Sequence, residues 1–171
     1  EAEEGEGEVN DPCGILDDEG ADVVDGDLTV DNPAVLALLQ GKTGVNGTLT
    51  VFLGADVGLE ALSTLRGVNG GLAVEASSGT LDVAPLAQLA CVGADLGLRD
   101  VRGVSLPLLT AVPGSVVVVG GVDVDLAGLS ALRVVGRDLD VTDTGLSSLA
   151  GLSSLVSIGG GSSVLAGIHH E

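Results

Sequence analysis

Acidic side chains are the residues of this sequence that could most readily do chemistry. Several of them stand in neighbouring units of a sequence repeat: Asp100, Asp123, Asp125, Asp138, Asp140 and Asp143. Carboxylates grouped in this way could bind Ca²⁺, which takes about six to eight converging oxygen ligands, or support lyase-type catalysis. The sequence contains neither an EF-hand loop nor a GGxGxDxUx calcium repeat. We therefore predict no cofactor, with calcium as the alternative that these acids leave open.

Other catalytic groupings are missing from the sequence. No GxSxG, HExxH or P-loop pattern occurs, and the many Ser, Thr and Asp residues have no base that could complete a triad. His169 and His170 could coordinate a metal only with partners that the sequence does not place, so we interpret them as a tag remnant or a frayed end. We predict no catalytic residue, no metal site and no enzyme.

Composition indicates a layered, aliphatic protein. The chain has 171 residues and a net charge of −19, and Phe52 is its only aromatic residue. An irregular core would use aromatic side chains to fill space, so a Val, Leu and Ala core favours regular stacked layers. Six dispersed Lys and Arg residues exclude a nucleic-acid partner, and no apolar run is long enough for membrane insertion.

A repeat of GxLxV type dominates the sequence. Its anchor positions are Leu28, Leu49, Leu72, Leu96, Val116, Leu139 and a degenerate Ser162, spaced by 21, 23, 24, 20, 23 and 23 residues. Val or Ile stands four residues before every anchor, and Val or Leu two residues after it. A Leu-x-x-Leu pair precedes five of the anchors. A period in the twenties predicts a solenoid of single-turn units.

Each repeat position has a structural interpretation. The anchor and the residue two later point to one side of a short strand, so both are expected to face the core. The Gly or Asn-Gly before the strand predicts a corner that needs φ > 0. The three-residue spacing of the leucines indicates a 3₁₀-like return. Stacked turns would pair their strands into a parallel sheet.

The units GLSALRVVGRDLDV (128–141) and LSSLAGLSSLVSIGG (146–160) resemble the receptor L-domain type of leucine-rich repeat. The resemblance implies a β-solenoid, a right-handed single-stranded parallel β-helix of about seven short rungs, of the kind found in bacterial cell-surface proteins. The asparagine ladder of usual leucine-rich repeats is missing. We expect an acidic leader and N-terminal cap over 1–21, the repeat domain over 22–165 and a tail over 166–171.

The loop after each strand carries all the variation in repeat length, and repeat proteins place function on such an edge. The candidate binding residues of this loop edge are Phe52, Asp56, Glu75, Arg99, Asp100, Arg102, Asp123 and Asp125. Ordinary solvated loops are the alternative. We predict a non-catalytic extracellular or cell-surface scaffold for protein recognition or adhesion, its signal peptide removed.

The outward positions of the strands form a second candidate surface, flat and made of small side chains. This face lacks the Trp, Tyr and Arg residues that usually anchor interfaces. A flat face can still pack closely against a second copy, so the alternative function is a self-assembling filament or surface-layer subunit that packs through this face or through the solenoid ends. Partners are therefore another protein or other copies of the chain.

The two cysteines leave three alternatives open. Cys13 precedes the first repeat and Cys91 lies at the corner before the fourth anchor, about three strand spacings or ~14 Å further along. A disulfide needs Cα atoms within about 7 Å, so pairing requires the leader to fold back along the repeats. Free thiols and an intermolecular bridge are the other two alternatives.

Overall fold

Parallel β-strands are the main regular secondary structure in the computed structural model, which describes residues 13–15, 22–54, 56–120, 126–142, 150–160 and 162–164. The strands are β1 (Val23–Asp25), β2 (Leu28–Val30), β3 (Gly44–Asn46), β4 (Leu49–Gly54), β5 (Gly67–Val68), β6 (Leu72–Ser78), β7 (Leu81–Asp82), β8 (Cys91–Val92), β9 (Leu96–Arg99), β10 (Val101–Arg102), β11 (Ala111–Val112), β12 (Val116–Val119), β13 (Val134–Val135), β14 (Leu139–Thr142), β15 (Ser157–Ile158) and β16 (Ser162–Val164). The helices are short: α1 (Pro33–Ala37) and the 3₁₀ segments η1 (Glu60–Leu62), η2 (Ala84–Gln88), η3 (Leu126–Leu129) and η4 (Ala150–Leu152). Within these residues no helix has the length and apolar character to cross a membrane.

The largest sheet has seven parallel strands in the order β16-β14-β12-β9-β6-β4-β2. Its register pairs the anchors directly, Leu28 with Leu49, Leu49 with Leu72 and Leu72 with Leu96. The same register continues from Leu96 through Val116 and Leu139 to Ser162. Parallel neighbours need a crossover of a dozen or more residues, which a repeat of 20 or more supplies. The predicted alignment of the seven anchors is confirmed.

Side chains alternate along these strands as the repeat predicts. In β4, Leu49, Val51 and Leu53 are buried, whereas Phe52 is exposed. The leucine pairs of the returns also reach the core, as Leu62, Leu65, Leu86 and Leu89 show. Among the described returns, four adopt the 3₁₀ form at the first leucine of the pair: Leu62 in η1, Leu86 in η2, Leu129 in η3 and Leu152 in η4. Aliphatic side chains of the strands and returns thus form one continuous core.

The strands that precede the anchors form two further sheets, β1-β3-β5-β8 and β11-β13-β15. The break between them has a cause in the sequence. Gly93 donates its N–H to the Val68 carbonyl, and Gly136 donates to the Val112 carbonyl. Pro113 occupies the equivalent position between them and has no N–H. The corresponding bond to the Val92 carbonyl cannot form, and the ladder is interrupted there.

Corner glycines are required for close packing, which corrects the expectation of φ > 0. Among the corner glycines that are described, Gly26 has φ 92, but Gly47, Gly70 and Gly114 are not in the left-handed region. A Cβ at Gly70 would meet the Gly47 backbone at 2.8 Å, and one at Gly114 would meet the Ala94 carbonyl at 2.8 Å. Each corner therefore lies against the corner of the preceding repeat.

Residues 13–15, which we call the strap, cross the outer side of the four-stranded sheet. Cys13 and Cys91 form a disulfide with a Cα–Cα distance of 5.6 Å, and Ile15 is buried. Cβ atoms added at Gly44 and Gly67 would each meet Ile15 at 2.6 Å. Of the three alternatives for the cysteines, the structure thus has the intramolecular disulfide, with the strap folded back along the repeats. The fold-back is possible because Gly44 and Gly67 leave room for the strap.

A row of hydrogen-bonded polar side chains on neighbouring strands holds the strap. Asn46 donates to the Asp25 carboxylate at 3.2 Å, and Asn69 donates to Asn46 Oδ1 at 2.8 Å. Asn69 Oδ1 in turn accepts the Cys13 N–H at 3.1 Å. Asn69 is the buried polar residue of the described core. The repeat pattern does not predict this row of hydrogen bonds, because its residues, Asp25, Asn46 and Asn69, do not recur in the later repeats.

Candidate binding surface on the loop edge

The loop edge begins with a row of three exposed side chains on neighbouring strands. Phe52 pairs in register with Glu75, and Glu75 pairs with Arg99. We expected these residues in loops, but β4 continues to Gly54 and β6 to Ser78. The alternation of buried and exposed residues extends through Leu53 and Ala76, so the core extends with it. The row therefore lies on sheet and is held by strand hydrogen bonds.

A two-stranded parallel sheet, β7 with β10, positions the next pair of charged residues. Leu81 and Val101 are paired in register and fully buried, so they fix the two strands against the core. Asp82 and Arg102 are consequently neighbours. The Asp82 carboxylate accepts the N–H of Ala84, the first residue of η2, at 3.0 Å.

Arg102 is held by a hydroxyl and a carbonyl. Its Nη1 donates to the Thr80 carbonyl at 2.7 Å and to Thr80 Oγ1 at 3.1 Å. Arg102 is exposed, so its remaining N–H groups can donate to an incoming acceptor. A guanidinium fixed in this way loses less conformational freedom on binding than a free side chain.

A polar pocket of about 220 Å³ joins Asp56 and Arg102, two of the predicted site residues. Glu60 and Asp82 also line it, and the sequence reading missed both. The position of Asp82 could be predicted locally, because Asp82 stands two residues before the Ala-Pro pair that starts η2. Glu60 has none beyond its place in the return. Three carboxylates beside one guanidinium can bind a basic or hydroxyl-bearing group, with Arg102 supplying the donors.

The remaining predicted residues are not part of this pocket. Asp100 is the turn residue between β9 and β10, with φ 55. Its N–H donates to the Val119 carbonyl at 2.9 Å, and its carbonyl accepts the Leu81 N–H at 3.1 Å. Asp100 therefore has a structural role in the turn. Asp123, Asp125 and Asp143, with His169 and His170, lie outside the described residues.

Beside the row, a shallow concavity of about 440 Å³ lies on the outer face of the seven-stranded sheet, with Arg99 at its rim. Its floor is formed by Ala73 and Gly97, which are neighbours in register. Asp95 at its edge accepts the Ser115 N–H at 2.8 Å. The concavity results from small side chains on two adjacent strands.

Metal-ligating side chains do not cluster in the part of the chain that the structure describes. No group of three or more His, Cys, Asp and Glu residues there is arranged to hold a metal ion. Cys13 and Cys91 are joined to each other. The surface therefore offers charged side chains, hydroxyls and one aromatic ring for contact with a partner.

Comparison of the chain with protein-family models, with curated proteins and with solved structures found no match.

Proposed function

We propose that this chain is a non-catalytic repeat scaffold of an extracellular or cell-surface protein, and that it recognises a protein partner through its loop edge. We propose further that its parallel sheets belong to a right-handed single-stranded β-helix of the receptor L-domain type. The direct register of the anchors supports this fold, as does the strong preference of parallel crossovers for the right hand.

The observation that carries the function is the placement of one exposed aromatic and several charged residues on one rigid edge. Phe52, Glu75 and Arg99 occupy adjacent strands, and Arg102 lines the polar pocket with Asp56. The first three are fixed by the sheet, and Arg102 is fixed by Thr80. Side chains presented by rigid elements bind with less entropy loss than side chains on free loops.

The test measures binding to individually displayed secreted and cell-surface proteins by biolayer interferometry. For a specific binder, we expect Arg102→Ala to raise the dissociation constant about tenfold, because interface arginines are frequent hot spots. Lys42→Ala is the charge-matched control. Lys42 lies away from this edge in an ion pair with Asp22 at 2.9 Å, and exposed pairs of this kind contribute little to stability.

Two outcomes would contradict the proposal. One is a panel that yields no specific binder. The other is a binder whose dissociation constant is unchanged in each of Phe52→Ala, Asp56→Ala, Glu75→Ala, Arg99→Ala and Arg102→Ala. Circular dichroism of every variant separates loss of contact from loss of fold.

Self-assembly is the second candidate function. It is favoured by the small side chains of the outer face, where Ala73 and Gly97 leave the concavity next to Arg99. A second copy could approach such a face closely. Light scattering across protein concentration at high salt tests it, since salt screens the repulsion between highly charged chains. A strict monomer at all concentrations would exclude self-assembly, whereas oligomers would favour it over a partner protein.

A further inference from the structure

An apolar groove of about 340 Å³ crosses the break between the four-stranded and three-stranded sheets. Its lining includes Cys91 and Val92 on one side of the break and Ala111, Pro113 and Val134 on the other. Ala111 and Pro113 are exposed, and Val134 is 41% exposed. The groove exists because Pro113 interrupts the ladder, and it lies on a different surface from the loop edge.

The strap shows how this side of the molecule binds a chain. Cys13 and Ile15 are two residues apart, and both face the sheet. Cys13 lies over Gly67, and Ile15 lies over Gly44 and Gly67. The Cys13 N–H is bonded to Asn69. Cys13 of the strap is bonded to Cys91, which also lines the groove. The groove is therefore continuous with an interface that already holds a segment of this chain.

Two arginines belong to the backbone segments that border the groove. Arg133 precedes Val134, and its N–H donates to the Thr110 carbonyl at 2.8 Å, next to Ala111. The Arg137 N–H donates to the Gly114 carbonyl at 3.0 Å, next to Pro113. Both side chains are exposed, and within the described residues neither forms a salt bridge. Two arginines in the segments that border an apolar groove favour acidic residues in the part of a partner that lies there.

We propose that this groove binds an extended segment of a partner protein, with aliphatic residues two positions apart and acidic residues on either side. The aliphatic side chains contact Ala111 and Val134, as Ile15 contacts the glycines of the neighbouring sheet. The acidic residues pair with Arg133 and Arg137. This interface is independent of the loop edge and adds a second binding surface to the scaffold.

The test measures fluorescence anisotropy of a labelled peptide, Ac-EEIGVEE-NH2, with the full chain. We expect saturable binding that weakens with salt, and a dissociation constant raised about tenfold by Val134→Glu or by Ala111→Glu. Arg133→Ala combined with Arg137→Ala should reduce the salt dependence. Phe52→Glu, on the other surface, is the control and should leave the affinity unchanged, as should Arg102→Ala. Circular dichroism verifies that each variant is folded.

Two companion peptides and one truncation make the outcome decisive. Ac-KKIGVKK-NH2 and Ac-EESGSEE-NH2 should bind at least tenfold more weakly, because each lacks one of the two complementary features. Removal of residues 1–12 should leave the affinity for Ac-EEIGVEE-NH2 unchanged. Equal binding of all three peptides, no binding, or indifference to Val134→Glu and Ala111→Glu would overturn the proposal. A tenfold gain on truncation would also overturn it and would identify the chain's own leader as the occupant.

Discussion

At the scale of single residues, close packing explains glycines that the repeat pattern places at corners. Gly136 is exposed, yet a Cβ there would overlap the Pro113 carbonyl oxygen of the preceding repeat. The obstacle is backbone, which cannot rotate away as a flexible side chain would. Gly97 is the opposite case, because a Cβ there would meet no atom within 4 Å.

We expect Gly136→Ala to lower the free energy of unfolding by about 1–3 kcal/mol, the range of overpacking substitutions. Gly97→Ala is the matched control and should change it by less than about 0.5 kcal/mol, as for a surface substitution without a steric conflict. Urea denaturation followed by circular dichroism measures both. Equal stability of the two variants would show that the corners do not stack as described.

Sequence alone could predict which residues face the core, because burial follows the period of the repeat. Val45, Leu49 and Val51 are all buried as predicted. It could not predict that Asp82 and Glu60 join Asp56 and Arg102 in one pocket. Those contacts depend on the path of two loops of different length, and the repeat pattern does not extend into the loops.

At the scale of elements, the strap and the Pro113 break divide the face formed by the strands before the anchors. Cys13 and Ile15 of the strap pack over Gly44 and Gly67, and Cys13 is bonded to Cys91. Beyond the break, Ala111 and Val134 are exposed. One face therefore has a covered part and an open part, and the open part is the groove.

Loss of the disulfide should destabilise the fold through the long loop that it closes. Cys13 and Cys91 are separated by 78 residues, so we expect Cys13→Ser with Cys91→Ser to lower the free energy of unfolding by about 2–5 kcal/mol. Chemical denaturation measures this change. Mass spectrometry after alkylation without reductant is the control, and it should find no free thiol in the unmodified chain. Two alkylated thiols there, or an unchanged stability in the variant, would contradict the assignment.

The position of the strap could not be derived from the repeat. Spacing places Cys13 before the first repeat, and only the glycines at 44 and 67 distinguish the covered strands from the other strands that precede the anchors. Their significance depends on Ile15 packing over them, which is a long-range contact. The Pro113 break can be predicted more directly from the sequence. A proline interrupts a ladder of hydrogen bonds when it stands at a position that donates an N–H in neighbouring repeats.

At the scale of the whole molecule, the repeats form successive parallel strands of one sheet, and each repeat adds one strand. The strand order follows the chain from β2 to β16 without exchange. This order places the strand ends side by side, so that residues far apart in sequence, such as Phe52 and Arg99, share the loop edge. Both proposed binding surfaces depend on it.

The most direct test of this arrangement is the distance between spin labels at equivalent outward positions of different repeats, measured by double electron–electron resonance with the disulfide intact. Thr29 and Val117 lie on β2 and β12, and Thr29 and Asp140 on β2 and β14. With a strand spacing of ~4.8 Å, we expect backbone separations of about 19 Å and about 24 Å, each with a narrow distribution. Equal or broad distances, or a shorter distance for Thr29 with Asp140, would contradict the stacking of one repeat on the next.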